Sequence, residues 1–120
     1  MLETTVQPGT NIVTIDYRGG LTVEDEQRMR QVLDEVLRDH GDLRVLAVLG
    51  SIDVSAVEPK AAWMDMKAAG YLKRMDRLAV VSDAAWVSKL IESTAELAHV
   101  SVRTFPADQH NSALAWIAQA

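Results

Sequence analysis

The chain has 120 residues, 48% of them hydrophobic and 24% charged, a composition typical of one ordinary folded unit and unlike that of a disordered, collagenous or coiled-coil segment. It contains no cysteine, which removes disulfide frameworks, thiolate zinc sites, iron–sulfur clusters and cysteine nucleophiles from consideration. Twelve Lys and Arg against seventeen Asp and Glu leave a net charge of −5, and the basic residues are dispersed, with Lys67, Lys73, Arg74 and Arg77 the densest group, so no nucleic-acid partner is expected.

No apolar run approaches the roughly 20 residues that cross a bilayer, and residues 1–10 lack a basic stretch followed by an apolar one. The expectation is one cytoplasmic domain over residues 1–120, neither exported nor membrane-spanning.

In chain order, residues 1–17 read as two short strands around Gln7-Pro8-Gly9-Thr10, where proline second and glycine third suit a type II turn. Arg18-Gly19-Gly20 ends the second strand. Thr22 is a good N-cap, Glu24, Asp25 and Glu26 favour the positive end of a helix dipole, and Met29, Val32, Leu33, Val36 and Leu37 recur at helical spacing up to His40 and Gly41.

The continuous apolar run Val45-Leu46-Ala47-Val48-Leu49 predicts a central strand covered on both faces. A loop follows, then a second helix opening at Pro59, with Ala62, Met66 and Ala69 on one face beside Trp63 and Gly70. Leu78-Ala79-Val80-Val81 is a further buried strand. Asp83 is expected to cap a third helix carrying Trp86, Val87, Leu90 and Ile91; residues 100–105 form the last strand; Asp108 is expected to cap a closing helix carrying Ala113, Leu114, Trp116 and Ile117. The order ββαβαβαβα predicts an α/β fold, a mostly parallel sheet with an antiparallel N-terminal hairpin.

This order, with Arg18-Gly19-Gly20-Leu21-Thr22-x-Glu24-Asp25, Ala62-Trp63-x-Asp65-x-Lys67, Arg77-Leu78-Ala79-Val80-Val81-Ser82-Asp83-x-x-Trp86, Val102-Arg103-x-Phe105-Pro106 and Ala115-Trp116-Ile117, resembles the SpoIIAA-like family over nearly the whole chain. The resemblance implies kinship with STAS domains, named for sulfate transporters and anti-sigma factor antagonists, and a fold compared with the lipid-binding domain of Sec14-type proteins. In regulatory STAS proteins a serine after the central strand, within an Asp-Ser-Ser/Thr-Gly-like sequence, is phosphorylated by a kinase partner. Here the corresponding stretch, Gly50-Ser51-Ile52-Asp53-Val54-Ser55, lacks that motif, so Ser51 and Ser55 are not expected to be such a switch and read first as turn or capping residues.

Other chemistry finds little support. His40, His99 and His110 lie at separate element ends without metal-ligand spacing, and no metal or cofactor is expected. The carboxylates Glu24-Asp25-Glu26 and Asp34-Glu35 lie opposite an apolar face and read as solvated. Ser82-Asp83 follows a strand but has no G-x-S-x-G elbow, and no Walker A or G-x-G-x-x-G pattern occurs.

The segment from Trp63 to Tyr71 is the best candidate for a site. Met64 and Met66 give an adaptable apolar wall, Trp63 and Tyr71 add amphipathic rings, and Lys67 offers a positive charge for an anionic head group. The leading expectation is a non-enzymatic binding or regulatory module engaging a protein partner or a small lipophilic ligand around Ser51, Ser55, Trp63, Met66, Lys67 and Tyr71. The alternatives are a small enzyme whose site assembles only in three dimensions and a structural interaction domain that docks through its acidic first helix. Homo-oligomerisation stays open.

Overall fold

A computed structural model describes residues 1–50 and 58–119; Ser51 and Ser55, and the side chains of Trp86 and Leu90, lie outside what is described. The elements are β1 (Leu2–Val6), β2 (Ile12–Tyr17), α1 (Val23–His40), β3 (Leu43–Gly50), α2 (Glu58–Ala68), β4 (Met75–Ser82), α3 (Ala85–Glu92), β5 (Ser101–Phe105) and α4 (His110–Ile117), with single-turn 3-10 helices at Leu72–Arg74 and Ala95–Leu97. The order ββαβαβαβα is the expected one.

The five strands form one sheet in sequence order, β1 antiparallel to β2 and every other pair parallel. The hairpin closes through the Thr10 N–H donating to the Gln7 carbonyl at 3.1 Å, with Gly9 at φ +76° as a type II turn demands. Central β3 sets Val45 between Val13 of β2 and Leu78 of β4. Its unbroken apolar run follows from burial on both faces.

Strand alternation divides the core into two layers. On one face Val13, Ile15, Leu43, Val45, Leu78 and Val80 pack with Met29, Leu33 and Val36 of α1, Met66 of α2 and Val87 of α3. On the other, Ile12, Leu46, Ala79, Val81 and Phe105 pack with Ala113 and Ile117 of α4. Helix α4 is held by arginines from the sheet. Arg44 donates to the carbonyls of Ile117 and Gln119 and pairs with Asp76 at 3.1 Å, while Arg77 donates to the Trp116 carbonyl at 3.0 Å. The Ile117 carbonyl at the helix end thereby gains a donor, and the Trp116 carbonyl, which already accepts from the Gln119 N–H, gains a second.

The start of α1 is a full capping box: Thr22 Oγ1 accepts from the Asp25 N–H, and Asp25 Oδ2 accepts from the Thr22 N–H. The same Asp25 oxygen accepts from the Leu2 N–H, fastening β1 to the helix. Three details differ from the sequence expectation. Helix α2 begins at Glu58, one residue before Pro59, and Ala69 falls beyond its end and is exposed.

Asp83 and Asp108 each stand one position too early to cap, because Ala84 and Gln109 are the residues that precede α3 and α4 and neither supplies a side-chain bond. Asp83 Oδ1 instead accepts from the Ala107 N–H at 2.9 Å, tying the loop after β4 to the loop after β5. The Ala84 N–H is met by Ser82 Oγ at 3.1 Å.

Candidate functional site

Between helices α2 and α3 and the sheet lies an apolar cavity of about 80 Å³. Its floor is buried: Leu2, Ile15, Met29, Val45, Met75 and Leu78, closed from above by Met66 and Val87. Its rim is half-buried and consists of Tyr17, Ala47, Leu49, Trp63 and Ile91. Tyr17 ends β2 and Leu49 lies next to the end of β3, so the opening faces the carboxyl ends of the parallel strands, where ligand sites of open α/β sheets occur.

Of the residues singled out from sequence, Trp63 and Met66 lie together in this wall. Lys67 and Tyr71 are not among the residues that line it. Tyr71 is buried and its hydroxyl donates to Asp34 Oδ1 on α1 at 2.8 Å. Burial first, and the Asp34 carboxylate second, push its hydroxyl up to about 12. Tyr71 is therefore a strut between α1 and the end of α2. The neighbouring cations Arg74 and Arg77 serve opposite layers, Arg74 donating to the Gly41 carbonyl at 3.0 Å and Arg77 to α4, so they form no common basic spot.

The acidic face of α1 is more engaged than its spacing suggests. Asp25 caps, Asp34 holds Tyr71, and Glu26 Oε1 is buried without a hydrogen-bond partner, with Arg30 3.8 Å away. Hydrogen bonding with Asp65 of α2, aided by burial, holds the Glu26 carboxyl above the ordinary glutamate range, and Arg30 only partly offsets this. Its ionised oxygen meets no donor, whereas protonated Glu26 can itself donate to Asp65. Neither carboxyl lines the cavity. Sequence spacing hid this pair because its members are on different helices.

Among the described residues no cluster of three or more His, Asp and Glu is placed to hold a metal ion. His99 Nε2 lies 3.0 Å from the Lys73 carbonyl, and His40 and His110 stand at the ends of separate helices. Trp116 belongs to the other layer, tilted against Phe105 at 6.2 Å with the Arg77 guanidinium 5.6 Å from its ring. Among the described residues no helix is long and apolar enough to cross a membrane.

A four-stranded parallel sheet with an antiparallel edge, three helices on one face, a fourth on the other, and an apolar cavity under the second and third helices define a small α/β module of the SpoIIAA-like type. The family model described as SpoIIAA-like matches residues 12–118, and the chain belongs to that family. Among solved structures, an uncharacterized protein from Shewanella loihica PV-4 with a SpoIIAA-like fold is similar, with a TM-score of 0.66 and 18% identity over 98% of this chain and 92% of that one. That likeness concerns the fold. No curated protein matches the chain in sequence.

Proposed function

We propose that this SpoIIAA-like domain is a non-enzymatic binding module whose ligand is a small lipophilic molecule held between the sheet and helices α2 and α3. The cavity wall supports this reading: its described lining is aliphatic, thioether or aromatic, and Tyr17 alone among these residues carries a hydroxyl. Such a wall offers burial rather than a nucleophile or an acid–base pair. Three methionines, Met29, Met66 and Met75, make it adaptable in shape.

Size narrows the class. The cavity's 80 Å³ is about half of the roughly 150 Å³ that admits benzene in an engineered core, so a short chain or small branched group fits without rearrangement and a long acyl chain does not. The test is titration of short hydrocarbons and alcohols followed by tryptophan fluorescence, with Trp63→Phe to assign the signal. Saturable binding that perturbs Trp63 is expected. Absence of binding by any apolar probe below millimolar concentration, in a protein that remains folded, would overturn the proposal.

A further inference from the structure

A second recess adjoins the cavity. It measures about 290 Å³ and is lined by Ser82, Asp83, Ala84, Thr104, Phe105 and Pro106 at the carboxyl ends of β4 and β5, together with Val80 and Val87. Among the described residues, Val80 and Val87 line both spaces and form a boundary they share. The strand register explains why apolar gives way to polar at this point. Thr104 pairs with Val80 across β4 and β5, and Ser82 follows Val80 on the same face about 6.6 Å further along the strand.

The recess has a definite charge character. Asp83 is exposed and held in place by its bond from the Ala107 N–H, and no Lys, Arg or His lines the recess among the described residues. Ser82 and Thr104 add hydroxyl oxygens. The hydroxyls both donate and accept, so it is the Asp83 charge that makes the recess favour a neutral or cationic donor and repel an anion.

Resting on the cavity reading above, we infer that the ligand is a short amphiphile whose hydrocarbon end enters the cavity past Val80 and Val87 and whose hydrogen-bond-donating, non-anionic head lies against Ser82, Asp83 and Thr104. This head chemistry is the opposite of the anionic head that Lys67 suggested.

The experiment uses one three-carbon skeleton with four ends: propane, 1-propanol, propylamine and propanoate, titrated into the full chain and followed by the methyl resonances of Val80, Val87 and Thr104. Propanol and propylamine should bind at least about tenfold more tightly than propanoate, and all three methyl sets should move together. Asp83→Asn keeps an oxygen to accept from the Ala107 N–H but removes the charge, so the preference for propylamine over propanoate should shrink to within about threefold. Thr104→Val should weaken propanol and leave propane unchanged. If the four probes bind alike and Asp83→Asn changes nothing, the head-group inference is wrong while the cavity reading stands. If propane and the other three all fail to bind, both fall.

Discussion

Filling the cavity tests the packing argument and the binding argument in one substitution, and Ala47→Val is the change the structure recommends. Ala47 lies on the cavity rim in central β3, side by side with Ile15 of β2 and Val80 of β4, where a β-branched residue suits both the strand and its neighbours. At about 24 cal/mol per Å³, the cost of an enclosed void, 80 Å³ sets an upper bound of about 1.9 kcal/mol on what this open-rimmed cavity costs the fold. Two added methyl groups recover at most about 1.6 kcal/mol, and the half-exposed rim position reduces that to roughly 0.5–1.5 kcal/mol. Urea unfolding should show this gain with an unchanged m-value, accompanied by a rise in Tm of about 4 °C. The same variant should lose affinity for short hydrocarbons. Destabilisation by more than about 1 kcal/mol would mean the space is already filled and the reasoning wrong. Stabilisation with undiminished ligand binding would place the ligand elsewhere.

Leu33→Ala removes a fully buried side chain from the α1 layer and should cost roughly 2–5 kcal/mol in the same unfolding assay; a cost under ~1 kcal/mol would contradict the burial. Tyr71→Phe loses the bond to Asp34 and should cost about 1 kcal/mol at neutral pH. Because the Tyr71 hydroxyl is raised from 10.0 to about 12 in the folded protein, its contribution is complete below pH 10 and lost as pH rises through 12; alkaline unfolding of the parent should steepen in that window and the variant's should not. Glu26 is likewise raised, above 4.5, so the protonated form is the one folding favours, and that contribution is complete below 4.5 and fades as pH rises through the folded value. Glu26→Gln should therefore be more stable than the parent at pH 7 by under about 1 kcal/mol, with the difference vanishing near pH 4. An equal difference at both pH values would remove the Asp65 contact as its cause.

The elements with strong one-dimensional patterns were legible from sequence. The five apolar residues from Val45 to Leu49 announce a strand buried on both faces, and Met29, Leu33 and Val36 announce the buried stripe of α1. Helix starts without a clear side-chain signal were not legible. Asp83 looked like a cap because acidic residues favour that position, yet the Ala107 N–H, brought close by the adjacent strand, claims its oxygen. The candidate site was half legible for a similar reason. Trp63 and Met66 share one turn of α2, whereas Leu2, Ile15, Val45 and Val87 join them only through the sheet. Tyr71 lies just beyond α2 in sequence, but its partner Asp34 is 37 positions away and ties it to α1.

Why the cavity lies where it does follows from the composition of α2. The helix reads Glu-Pro-Lys-Ala-Ala-Trp-Met-Asp-Met-Lys-Ala, and among its described side chains Trp63 and Met66 are the large ones turned towards the sheet, while Met64 is exposed. Two long side chains hold a helix off the sheet without filling the space beneath it, whereas α1 presents Met29, Leu33 and Val36 in a continuous stripe and closes its part of the layer. The α4 layer shows the complementary solution: small Ala113 lets that helix approach closely, and Arg44 and Arg77 hold its end. One face of the sheet is thus locked by polar ties to the backbone of its helix. The other keeps a void beneath α2 and α3 that costs stability, and a ligand occupying it would recover that cost as binding free energy.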